Sequence, residues 1–136
     1  MKTININGKD YTIEESSNIL ETAKKENPMD KIYSYHKTTE ERFNMLYENV
    51  SEFAKNQEIE AMIVNYYNKG EKVDFNNHSQ KRWYSWWYLG DNFRLSCVDD
   101  YCSVSRVPAR LCFLREEDIE EATEVYFEQF KNSRNG

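Results

Sequence analysis

The chain has 136 residues and carries 18 Lys/Arg against 24 Asp/Glu, a formal net charge of -6. That length makes one domain with one core, and the acidic balance argues against a generic nucleic-acid coat. The charge is unevenly laid out: residues 1–60 hold 8 basic against 12 acidic side chains (-4), residues 61–115 hold 8 against 5 (+3), and residues 116–136 hold 2 against 7 (-5).

In chain order, "TINI" alternates, Asn7-Gly8 supplies the two positive-φ positions of a type I′ turn, and "KDYT" returns, which predicts a β-hairpin. Thr12 stands three residues before Glu15, a capping box that predicts a helix from about Ile13. Pro28 should stop that helix, because the residue before a proline avoids helical dihedrals. A second capping box, Thr38 to Glu41, opens a helix with Phe43, Leu46 and Tyr47 on one face. The best helix is predicted from about Val50 to Lys69, with Phe53, Ala54, Ile59, Met62, Ile63, Tyr66 and Tyr67 apolar and Gly70 as its C-cap.

From Arg82 the pattern becomes aromatic and β-branched. Strands are predicted near 82–89, 92–98, 101–106 and 110–114, with "LGDN" as the first turn, the Asp99-Asp100 region as the second and Pro108 at an edge or turn. The chain closes on a helix from about Glu116 to Lys131, burying Ile119, Ala122, Tyr126, Phe127 and Phe130. Glu116, Glu117 and Asp118 fall in its first turn, where the helix dipole favours negative charge. The whole reads as one α+β domain: an N-terminal hairpin and helices over 1–70, an antiparallel sheet over 82–114 with helices on one face, and a closing helix over 115–132.

The N-terminus lacks the apolar stretch of a secretory leader, and no apolar run approaches the roughly 18–20 residues of a membrane span. Cys97, Cys102 and Cys112 therefore read as reduced thiols of a cytosolic protein. Written with His78, they lack the close Cys pairs of a zinc site. His36 and His78 stand in polar surroundings with no oxyanion-hole pattern nearby, and the 4 glycines are isolated. Neither catalysis nor a cofactor is expected.

The stretch "QKRWYSWWYLGDNFRL" holds all 3 tryptophans within five positions. As a strand it points Trp83, Ser85, Trp87 and Leu89 to one side and Arg82, Tyr84, Trp86 and Tyr88 to the other. Trp83, Trp87 and Leu89 make the better core face. The opposite face, with Lys81, Arg82 and Arg94 beside it, has three readings: it is covered by another layer, it is a protein-contact surface rich in the residue types of hot spots, or it is a stacking platform for single-stranded RNA. The acidic run "REEDIEEATE" is either a solvated helix face or a mimic of a phosphate backbone.

Three segments, "GKDYTIEE", "NNHSQKRWYSWWYL" and "VPARLCFLREEDIEEATEVYFEQF", together resemble a family of small uncharacterised proteins encoded by phages and prophages, notably of Bacteroidetes. The family opens with a short hairpin running into a capped helix and finishes with "RLCF" and a helix. The chain departs from it at Ser85, between Tyr84 and Trp86, and at Ala109, where Ser is common before the arginine. The resemblance implies a phage accessory protein of the kind that inhibits host defence, anti-CRISPR proteins included. It supplies no catalytic residues.

The expectation is accordingly a non-enzymatic inhibitor in the host bacterial cytoplasm that binds a Cas effector with its guide RNA. Arg82, Tyr84, Trp86, Tyr88 and Arg94 would form the contact, and Glu117, Glu120, Glu121 and Glu124 would engage a basic channel. The alternative is a small RNA-binding protein using the same aromatic face.

Overall fold

The computed structural model describes residues 3–12, 27–74, 76, 77, 79–101 and 108–135. Strands β1 (Thr3–Ile6) and β2 (Lys9–Thr12) pair antiparallel with Ile6 opposite Lys9. Asn7 (φ 55°) and Gly8 (φ 80°) make the predicted turn, whose twist matches that of the strands it joins. The helix expected from Ile13 lies outside the described residues.

Pro28, predicted to lie beyond the end of that helix, opens the next one. Helix α1 (Met29–Tyr35) follows it directly, since a fixed φ and a missing N–H are harmless at a helix start. Helix α2 (Glu40–Leu46) is capped one residue later than expected, by Thr39, whose Oγ1 accepts the Arg42 N–H at 3.2 Å. Helix α3 (Glu52–Tyr67) is capped by Ser51 and ends where Gly70 (φ 75°) donates its N–H to the Asn65 carbonyl at 3.1 Å.

Strands β3 (Arg82–Tyr88) and β4 (Arg94–Tyr101) form an antiparallel hairpin, with a register shift between Trp86 and Trp87 that leaves Ser96 as the extra residue of β4. The strand predicted at 110–114 is absent as such. Residues Ala109–Leu111 turn as a 3-10 helix, and only Phe113 bridges to Trp83, through hydrogen bonds of 2.7 and 2.8 Å. A side chain satisfies the backbone on either side of that bridge. Asn68 Nδ2 donates to the Cys112 carbonyl and Asn68 Oδ1 accepts the Leu114 N–H, both at 3.0 Å. Buried amides need partners, and here an asparagine at the end of α3 supplies what a neighbouring strand would have given. The turn predicted at Asp99-Asp100 is strand instead, because the backbone there pairs with Tyr84 and Trp83 and carries β4 on to Tyr101; the rest of the strand predicted to 106 lies outside the described residues.

The closing helix is two: α4 (Glu116–Val125) and α5 (Phe127–Arg134), broken at Tyr126 (φ -106°, ψ 31°). The Thr123 hydroxyl donates back to the Ile119 carbonyl at 2.8 Å, a bond that bends helices. Tyr126 is fully buried and donates its hydroxyl to the Pro28 carbonyl at 2.9 Å, tying the break to the start of α1.

Among the described residues the helices pack on the β3–β4 hairpin, an α+β arrangement. Ile32, Ile63, Phe113, Ile119 and Phe130 form the centre of the core, and Trp83, Trp87 and Val98 of the hairpin pack against it. Four of the five predicted apolar positions of the closing helix, Ile119, Ala122, Tyr126 and Phe130, are wholly buried. Arg115 joins α3 to α4, donating to the Tyr67 carbonyl and to the Asp118 carboxylate, both at 2.8 Å. No described helix is long and apolar enough to cross a membrane.

Burial raises the hydroxyls of Tyr67 and Tyr126 well above their ordinary pKa of 10, and the Glu121 carboxylate raises both further. Below pH 10 both side chains are protonated, folded or unfolded, so they add no pH dependence there. Above it the unfolded chain loses these protons while the folded protein keeps them, and stability falls. Denaturation midpoints followed from pH 8 to 11 should be level and then drop beyond about pH 10, and a Tyr126→Phe variant should drop less steeply.

Candidate functional site

The β3–β4 hairpin ends in an exposed aromatic tip. Trp86 is 41% exposed, Tyr88 52% and Leu89 62%. Strand alternation places Trp86 and Tyr88 on the face opposite Trp87, and β4 brings Cys97 and Arg94 opposite them. The Arg94 guanidinium lies 4.2 Å over the Tyr88 ring, a cation–π stack that stiffens both side chains at the surface. Tyr84 meets Trp86 edge to face at 5.3 Å.

The underside of the tip is fixed by aromatic packing. Trp87 stacks on Phe93 at 4.7 Å and on Phe130 at 5.4 Å, and Phe127 closes the cluster edge-on to both Trp87 and Phe93. Trp87 thus points where the sequence places it, into the core. Leu89, predicted beside it, is instead exposed, because the strand ends at Tyr88 and the turn carries Leu89 outward.

Two predicted contact residues are not at the surface. Arg82 is fully buried, with Nη2 donating to the carbonyls of Asp74 (2.8 Å) and Asn77 (3.4 Å) in the segment that folds across the start of β3. Tyr84 is half-buried beneath Arg134, whose guanidinium lies 4.2 Å over its ring. Another layer therefore covers this strand face at Arg82 and Tyr84 and leaves it open at Trp86 and Tyr88. Cys97 is exposed opposite Trp86, whereas Cys112 is buried.

Arg134 carries more of the design than any residue the sequence singles out. Its Nε and Nη2 donate to the two oxygens of Glu60, at 2.6 and 2.9 Å, and its Nη1 donates to the Ser85 carbonyl at 2.8 Å. Glu60 is fully buried and also accepts from the Ser133 hydroxyl at 2.8 Å. Next along the chain, Asn135 brackets the turn glycine: its Oδ1 accepts the Gly90 N–H at 2.6 Å and its Nδ2 donates to the Gly90 carbonyl at 3.3 Å. The last turn of α5 thus holds the hairpin at both its middle and its tip.

Glu117, Glu120, Glu121 and Glu124 are all exposed on α4, which packs against both strands of the hairpin. The aromatic tip and the acidic helix face therefore belong to one body. A separate cleft of about 510 Å³ lies between α3 and the Ala109–Leu111 turn, with the Glu58–Arg110 ion pair (2.7 Å) on its rim. His36 reaches it with its ring held at 3.0 Å from the Met62 carbonyl, and His78 lies outside the described residues. Among the described residues no group of three His, Cys, Asp or Glu side chains is placed to hold a metal.

Compared with protein-family models, curated proteins and solved structures, the chain matches none of them.

Proposed function

We propose that the protein is a non-enzymatic inhibitor that binds another protein through the aromatic hairpin tip. Its target would be a host defence protein in the bacterial cytoplasm, a Cas effector carrying its guide RNA. The observation that supports the reading is the exposure of Trp86 and Tyr88 on a hairpin held in place by Phe130, Arg134 and Asn135. Large aromatic side chains held in place before binding lose little freedom on contact, and Trp, Tyr and Arg dominate the energetics of protein interfaces. The exposed carboxylates of α4 suit a positively charged nucleic-acid channel, where they would compete with a phosphate backbone. The phage resemblance supplies the class of partner.

A single-stranded RNA platform is the weaker reading. It needs a run of open rings flanked by free cations, whereas Arg82 is buried and Tyr84 is covered by Arg134. The exposed Asp99, opposite Tyr84, adds a negative charge to the same face.

The test is cleavage of target DNA by purified Cas effectors with guide RNA, titrated with the protein. Inhibition should appear with at least one effector, and Trp86→Ala should raise the concentration needed by about thirtyfold, the loss of one hot-spot side chain worth about 2 kcal/mol. Inhibition that survives Trp86→Ala and Tyr88→Ala together would place the contact elsewhere.

A further inference from the structure

We infer that the corner between α2 and α3 is a second docking surface, distinct from the hairpin tip, and that it takes a basic amphipathic helix of a partner protein. Four large apolar side chains stand exposed within nine positions: Met45 (67%), Leu46 (75%), Val50 (41%) and Phe53 (58%). The sequence puts Leu46 on one helical face with Phe43 and Tyr47, and Phe53 in the apolar set of the next helix. In the structure the core side of α2 is taken by Phe43, which stacks on Tyr47 at 4.6 Å, and the apolar core contacts of α3 begin at Ile59. Single apolar side chains on a surface mean little, but four so close along the chain, beside exposed carboxylates, point to a site of association.

The rim decides the occupant. Glu40, Glu41, Glu48 and Glu52 are exposed around the apolar corner, with Arg42 as the exposed cation among them. A shallow depression of about 490 Å³ brings Met45 together with three of these carboxylates, being lined by Glu40, Glu41, Asn44, Met45 and Glu48. Such a depression suits a lysine or arginine whose aliphatic stem lies on Met45 and whose charged end meets the carboxylates. A second copy of this chain fits poorly, because a two-fold contact would set one acidic rim against its equal. An anionic lipid surface is repelled for the same reason. What remains is a helix with an apolar stripe for the ridge and a Lys/Arg border for the rim, the helix-in-groove mode of recognition. Thioether side chains such as Met45 adapt to such stripes.

The probe is a fluorescein-labelled peptide of about 18 residues, some five helical turns, built from Leu and Lys at helical spacing. A Leu/Glu peptide of the same pattern is the control, and binding is read by fluorescence anisotropy against the full chain. The Leu/Lys peptide should bind one to one, weaken as salt rises, and lose about tenfold or more in affinity with Leu46→Ser/Phe53→Ser. The charge variant Glu40→Gln/Glu41→Gln/Glu48→Gln, which leaves the ridge intact, should also weaken it, and Trp86→Ala should not. The Leu/Glu peptide should not bind. Binding indifferent to both sets of changes would assign the attraction to the carboxylates of α4 and overturn the proposal, as would no binding at all. Sedimentation of the wild type as a dimer that Leu46→Ser/Phe53→Ser converts to monomer would give the face to a second copy instead.

Discussion

Arg134→Ala should destabilise the protein by about 3–5 kcal/mol, the cost of leaving a buried carboxylate without its counter-charge. Glu60 is wholly buried and the Arg134 side chain only 11% exposed, so little water is available to replace the guanidinium. The same substitution removes the donor to the Ser85 carbonyl and uncovers the Tyr84 ring. Urea denaturation would measure the loss, and hydrogen exchange would show where it falls, with faster exchange across β3. A double change, Glu60→Gln with Arg134→Met, keeps the volume without the charges and should recover most of the stability, since a buried pair is costlier to break than to replace. A loss below about 1 kcal/mol, the range of a surface ion pair, would show that the pair is solvated in solution.

Phe130→Ala is the second large effect, expected to cost about 3–5 kcal/mol. Phe130 is fully buried, and its ring is the seat on which Trp87 stacks. The cavity would lie directly beneath the aromatic hairpin, so it should loosen the tip as well as the core. Tryptophan fluorescence should shift to the red at denaturant concentrations well below the main transition. Phe130→Leu, which fills most of the space, should cost far less and keep a single transition.

The two predictions meet at one place because the C-terminal helix does two jobs there. Its apolar spacing was open to sequence reasoning: Ile119, Ala122, Tyr126 and Phe130 recur at helical intervals and are all buried. The Asn7-Gly8 turn was legible for a similar reason, since few residues accept positive φ at two successive positions. The hidden parts depend on long-range pairing. Glu60 and Arg134 are 74 positions apart, and each taken alone is an ordinary charged side chain on a helix. One local signal was present for Glu60: it interrupts the apolar run "IEAMIV" on the face that α3 buries.

The missing strand at 110–114 has the same kind of cause. Asn68 supplies hydrogen bonds that a strand neighbour would have made, and no period in "ARLCFL" encodes that. Alternation assigned Arg82 to the contact face and did so without knowledge of the segment that folds over it. It did place Trp83 and Trp87 toward the core and Trp86 and Tyr88 on the opposite face, which is exposed at those two positions.

The central claim is that Trp86 and Tyr88 contact a protein, and capture from cells expressing Cas effectors with guide RNA tests it most directly. Tagged wild-type protein and Trp86→Ala would be compared with and without nuclease treatment. Direct contact predicts that an effector stays bound to the wild type after nuclease digestion and is lost with Trp86→Ala. Capture abolished by nuclease, or no effector captured under either condition, would contradict it.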